Sequence, residues 1–152
     1  MANQLSVLLN HIVSVFEADP LVNTILFVDD DTLDNEKENI YPLVSLQLLP
    51  SPKPEQDLRA YTFAIEVLNQ RDDIKTATTS KLMIDTNYID NVGITDSIAN
   101  NFVMEILKTH NNFDINIDED SITDFEPVKK DERNCLDGWK FECTFTIHQN
   151  DI

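Results

Sequence analysis

Histidine, cysteine and paired carboxylates build most reactive sites, and this chain spaces them badly for each common chemistry. His11, His110 and His148 are its only histidines, and none stands at the short separation of a metal-binding pair. Cys135 and Cys143 are its only cysteines. Cys143 and His148 lie five apart on an alternating segment and so face opposite ways, which removes the one local Cys–His pairing. Two acidic runs imitate calcium loops. Asp114, Asn116, Asp118 and Asp120 occupy alternate positions, but the sixth place has no glycine and the twelfth is Phe125 instead of glutamate. Asp29, Asp30, Asp31 and Asp34 fail in the same way, so each run reads as a solvated acidic loop. Glu66 and Glu142 could in principle act as an acid–base pair, yet carboxylates on polar strand faces are ordinarily plain surface. No catalytic set, cofactor site or metal site is expected, and the chain reads as a non-enzyme.

Composition narrows the partners. The 152 residues are 41% apolar and carry 28 acidic against 11 basic side chains, a formal net charge of −17. That length suits a single domain over residues 1–152, and the apolar fraction is too high for a disordered acidic tail. No basic stripe exists to replace the counterions on nucleic-acid phosphates, and the same charge disfavours an anionic membrane surface. Gly93 and Gly138 are the only glycines, too few for a glycine-rich phosphate loop. The beginning of the chain lacks the basic and apolar regions of a signal peptide, and no run approaches the roughly 18 apolar residues of a membrane span. Two reduced thiols in a cytoplasmic setting are expected, Cys143 in the core and Cys135 in a turn.

The elements that would position these residues follow an α+β plan. Leu5, Leu8, Leu9, Ile12, Val15 and Phe16 repeat at helical spacing over residues 3–17, with Asn3 as the cap and Asp19-Pro20 as the stop. Residues 23–28, 41–49 and 58–68 read as strands, with Pro42 at a strand start or on an edge. In the third strand Tyr61, Phe63, Ile65 and Val67 share one face, and Ala60, Thr62 and Ala64 make a smoother face on which a helix could lie. Residues 70–87 lose the pattern and read as a loop or insertion. Asp90 is a candidate cap for a helix running to about His110, with Ile94, Ile98, Phe102 and Ile106 every four residues. A weaker strand lies at 113–117 or alternatively at 122–128. The clearest is 139–148, with Asp137-Gly138 as the turn that starts it. The expected fold is a four- or five-stranded, mainly antiparallel sheet with two helices on one face, the other face left to a partner.

Three segments, taken in order, carry a likeness: Tyr41-Pro-Leu-Val-Ser-Leu after the loop Glu36-Lys37-Glu38-Asn39; Tyr61-Thr-Phe-Ala-Ile-Glu-Val-Leu-Asn69 running on to Asp72; and Leu136-Asp-Gly-Trp139-Lys-Phe-Glu-Cys-Thr-Phe-Thr-Ile147 before Asn150-Asp151. The chain resembles the small tail-terminator or neck (tail-completion, head-to-tail connector) proteins of phages that infect Bacteroidetes, crAss-like phages among them. The likeness covers nearly the whole chain except residues 72–92 and 114–134. It implies a tail-terminator-like fold and a structural virion protein. Such a subunit closes a six-fold ring, or a twelve-fold one when matched to a portal, around the channel through which DNA leaves. Adjacent portal, connector or tail-tube proteins are the implied partners, and the implied location is the virion neck or tail after assembly in the host cytoplasm. The family brings no catalytic residues.

Two sets of residues fit that expectation. Pro50, Ser51, Pro52, Lys53 and Pro54 form a stiff extended arm or hairpin tip suited to contacts between subunits. Asp29, Asp30 and Asp31, with Asp118, Glu119 and Asp120, are candidate acidic loops facing the channel or a neighbouring ring, where they would repel DNA phosphates and keep DNA from sticking. The competing class is an acidic DNA mimic that inhibits a nucleic-acid-binding protein, consistent with the charge of −17. A mimic calls for carboxylates in a strip at phosphate-like spacing, and here they cluster in loops.

Overall fold

The computed structural model describes residues 3–27, 40–72, 87–109, 115–117, 119–131 and 135–148. In chain order these form helix α1 (Gln4–Glu17), strands β1 (Thr24–Phe27), β2 (Leu43–Leu49) and β3 (Leu58–Gln70), helix α2 (Tyr88–Thr109), strand β4 (Ile115–Ile117), a 3₁₀ turn (Glu119–Ser121), and strands β5 (Glu126–Lys130) and β6 (Leu136–His148). The fold is α+β, with two helices and an open, mixed, mostly antiparallel sheet of six strands among the described residues.

The sheet runs β1-β2-β3-β6, and the outer edge of β6 is shared by β5 and β4. Only β1 with β2 is parallel. The two segments that the sequence offered as alternatives for one weak strand both pair with β6, which raises the count to six. The centre is the long antiparallel pair β3–β6, in register from Leu58↔His148 to Gln70↔Leu136.

Alternation decides which face is which. Val44 and Leu46 of β2, Phe63, Ile65 and Val67 of β3, and Phe141, Cys143, Phe145 and Ile147 of β6 point to one side and join the main core. Both helices cover that side, α1 with Leu8, Ile12 and Phe16, and α2 with Ile98, Phe102 and Ile106. Phe16 stacks on Phe102 at 4.2 Å between ring centroids, the rings nearly parallel, and fixes where the helices meet. The helices therefore lie on the Phe63–Val67 face. The smooth Ala60, Thr62, Ala64 face, which the sequence offered as a helix seat, is the one they leave, because the larger apolar side chains bury more area. At one end of that opposite face Leu43, Leu68 and Leu136 are fully buried in a second, smaller cluster.

Local chemistry sets the boundaries. Asn3 caps α1, its side-chain oxygen accepting from the Ser6 amide at 2.8 Å, as the sequence predicts. Asp90 is not the cap of α2: the helix starts at Tyr88 and Asp90 sits in its first turn, where a carboxylate meets the positive end of the helix dipole. Asp137-Gly138 is not a turn. Both lie inside β6, opposite Asn69 and Leu68 of β3. The glycine is required there for a different reason, since a β-carbon at Gly138 would overlap the Val67 carbonyl. Pro42 precedes β2 after a cis peptide bond, and β2 is an inner strand, not an edge.

Candidate functional site

The most tightly built polar site lies where β3 ends and β6 begins. Asp137 points to the helix side of the sheet and is completely buried. Arg71, just past β3, grips it from two nitrogens, Nε at 3.0 Å from Oδ2 and Nη2 at 2.5 Å from Oδ1. The second Arg71 terminal nitrogen reaches Asp131 at 2.6 Å, beside β5. From α2 the buried Asn91 donates to Asp137 Oδ2 at 3.2 Å and to the Gln70 carbonyl at 3.1 Å, and accepts from Asn69 at 2.9 Å. Asn87 donates to Asn91 and accepts from the Asp72 amide, and Trp139 Nε1 donates to the Val92 carbonyl at 2.9 Å.

The electrostatics are those of a lock. Hydrogen bonding to Asp137 raises the Arg71 pKa further above its ordinary value, burial opposes the shift, and Asp131 adds to it. Asp131 is held below the usual carboxylate range mainly by its hydrogen bond to Arg71. All three guanidinium nitrogens are engaged by two carboxylates, and Asn91 ties Asp137 to α2, so the cluster fastens that helix to the sheet. The strand patterns hid it. Arg71 and Asp137 are 66 residues apart, and the legible signal was only that polar residues interrupt two strongly apolar strands at matching ends.

No protein-family model matches this sequence. No curated protein matches it either.

Glu119 and Asp120 are exposed on the 3₁₀ turn. Asp29, Asp30, Asp31 and Asp118 lie outside the described residues. Pro50, Pro52, Lys53 and Pro54 are exposed, but the arm does not stand free. Ser51 Oγ accepts from the Thr62 amide and donates to the Leu49 carbonyl, both at 3.1 Å, and Arg59 donates to the Pro52 carbonyl at 2.7 Å. The arm is the near leg of a hairpin that closes at Gln56-Asp57, with Glu55 and Leu58 exchanging backbone hydrogen bonds. Gln56 sits at φ 53°, the left-handed region that favours glycine.

The helix-free face carries Gln47, Thr62, Ala64, Lys140, Glu142 and Thr144, mostly half-buried. Thr62 and Thr144 share a hydroxyl–hydroxyl bond of 2.9 Å across β3 and β6. A shallow cleft of about 280 Å³ on this face takes in both Glu66 and Glu142. Glu66 is 3.2 Å from Lys130 Nζ, and Lys140, which also lines the cleft, pairs with Glu126 at 3.5 Å. This is surface ion pairing without a general acid or base singled out.

Cys143 is buried in the core, as the sequence predicts, and burial with help from Glu142 pushes its thiol far above the ordinary range. Cys135 is half-buried immediately before β6, and its carbonyl accepts from the Arg71 amide at 2.8 Å. Among the described residues, no three His, Cys, Asp or Glu side chains come together as a metal-binding group, and no helix is long and apolar enough to cross a membrane.

Proposed function

We propose that this chain is a structural subunit of a phage neck or tail, without enzymatic activity, which assembles head-to-tail into a ring around the DNA channel. The observation that carries the reading is the one-sided layering of the sheet. Both helices cover one face, and the middle of the other presents Ala60, Thr62, Ala64, Thr144 and Thr146, short side chains that let a neighbouring backbone or helix approach closely. The hairpin holding Pro50, Ser51, Pro52, Lys53 and Pro54 adds a second, different surface. Unlike patches that meet under a closing rotation generate rings.

The charge supports the same reading. Glu119 and Asp120 are exposed, and the excess of carboxylates over the chain repels a passing phosphate backbone. A lumen lined in this way lets DNA move by without holding it. Portal, connector and tail-tube proteins above and below are the partners this role requires.

Light scattering and negative-stain imaging of the purified chain, alone and mixed with isolated connector or tail assemblies, test the proposal. The expected result is a discrete closed ring or saturable attachment to those assemblies. A strict monomer that ignores both would overturn it. A monomer that displaces DNA from a basic enzyme, with the effect lost at high salt, would replace it with the acidic DNA mimic.

A further inference from the structure

A cleft of about 330 Å³ opens between the end of α1 and the second half of α2, on the side of the molecule away from the helix-free face. Its floor is apolar. Phe16, Ile98 and Phe102 line it and are buried in the core, and Met104, which lines it as well, is exposed.

The walls are polar and negative. Val15, Ala18 and Asp19 come from the end of α1, and Glu105 comes from α2. The amides that follow α1 are engaged elsewhere. Ala18 donates to the Ser14 and Phe16 carbonyls, Asp19 to Phe16, Leu21 to the Asp19 side chain and Val22 to the Asp19 carbonyl. Pro20 has no N–H to give. No backbone donor of this turn is left for the carbonyls of Val15 and Ala18, which lie at the negative end of the helix dipole, and the last turn of α1 holds no basic residue. Asp19 Oδ1 accepts from the Leu21 amide at 3.0 Å, while Oδ2 is shielded from water and has no hydrogen-bond partner among the described residues. On the other wall Glu105 lies 3.4 Å from Lys108, an exposed pair that water screens strongly.

We infer that this cleft binds a free aliphatic diamine. One ammonium sits at Asp19 and the end of α1, the other at Glu105, and the methylene stem crosses Phe16, Ile98 and Phe102. A shielded carboxylate oxygen without a donor is unfavourable, and an ammonium that turns it outward relieves that penalty. The α1 carbonyls favour a cation at the same end. An anion is repelled by both walls, and a neutral apolar ligand leaves the carboxylates unanswered. A bare metal ion lacks ligands, since no three His, Cys, Asp or Glu side chains group together among the described residues, and it would leave the apolar floor unmatched. A lysine side chain of another protein brings one ammonium, with a peptide where the second carboxylate stands. The inference does not rest on ring closure, because the cleft is built within one chain.

The test titrates the full chain, labelled for amide spectroscopy, with 1,5-diaminopentane at low ionic strength. Saturable shifts are expected, centred on the amides of residues 15–19 and 98–105. n-Pentylamine is expected to bind severalfold more weakly, and Glu105→Gln to erase that difference. Magnesium, with the same charge and no stem, is expected not to saturate these amides. Asp19→Asn keeps the Oδ1 acceptor for Leu21, and it is expected to weaken the diamine about tenfold without lowering the urea midpoint. Saturation by magnesium at the same amides, shifts scattered over acidic surface, unchanged affinity in Asp19→Asn, or no saturation by the diamine would each overturn the inference. Lysine blocked at both backbone ends that binds as tightly as the diamine would assign the cleft to a protein side chain and overturn it as well.

Discussion

A carboxylate with no exposed surface needs its charge answered on the spot, and Asp137 is answered by Arg71 and Asn91. Removing Arg71 leaves the Asp137 charge buried with only the Asn91 amide to answer it, and removing Asp137 leaves the guanidinium with Asp131 alone. Arg71→Met or Asp137→Ala is therefore expected to destabilise the fold by about 3–5 kcal/mol, whereas Asp131→Ala, at the exposed end of the same guanidinium, should change it far less. Urea midpoints decide this, and equal effects of Asp131→Ala and Asp137→Ala would refute the buried lock. His11 supplies a pH effect. It is nearly buried on α1, and burial lowers its pKa from 6.5. The unfolded chain then binds more protons than the native one between that lowered value and 6.5. The neutral histidine costs nothing above this window, and stability is lost as pH falls through it, levelling off below. Urea unfolding at pH 7.5 and 5.5 should show a larger fall for the wild type than for His11→Gln. Matching falls would mean that His11 is not the group involved.

At the scale of elements, two backbone positions carry opposite demands. Gln56 holds a positive φ that a residue with a side chain adopts reluctantly, so Gln56→Gly should stabilise the hairpin by up to about 1 kcal/mol. Gly138 packs against the β3 backbone, and Gly138→Ala should cost about 1–3 kcal/mol or more. A pair of thermal melts separates them by sign, and a fall for Gln56→Gly would show that its side chain outweighs the strain. Most elements were legible in the sequence because their signals are local. The Asn3 cap, the four-residue repeat of α2 and the alternation of β6 each lie within a few residues. What failed was non-local. Asp-Gly spells a turn by composition, but its neighbour across the sheet, Leu68, makes it strand. The weak segments around 115 and 126 form because β6 offers an edge long enough for both.

For the whole molecule the charge of −17 is a standing self-repulsion. Screening should relieve it. The urea midpoint is expected to rise between about 0.01 and 0.5 M sodium chloride, over which the Debye length falls from about 30 Å to a few ångströms. The Arg71–Asp137 pair, shielded from solvent, should not offset this gain. A midpoint that falls with salt would mean that exposed ion pairs such as Lys140–Glu126 outweigh the net repulsion.

By itself the sequence determined the fold class, the apolar face of each helix and the apolar side of each long strand, because periodicity of 3.6 or 2 is written in neighbouring residues. It also determined the net charge of −17. Only the tertiary structure decided which sheet face the helices take, how Ser121 and Thr123 bond β6 between β5 and β4, and that Arg71 meets Asp137. The physical reason is the same in each case. These depend on which distant segments become neighbours in the sheet, and a strand pattern records which way a side chain points without recording what it meets.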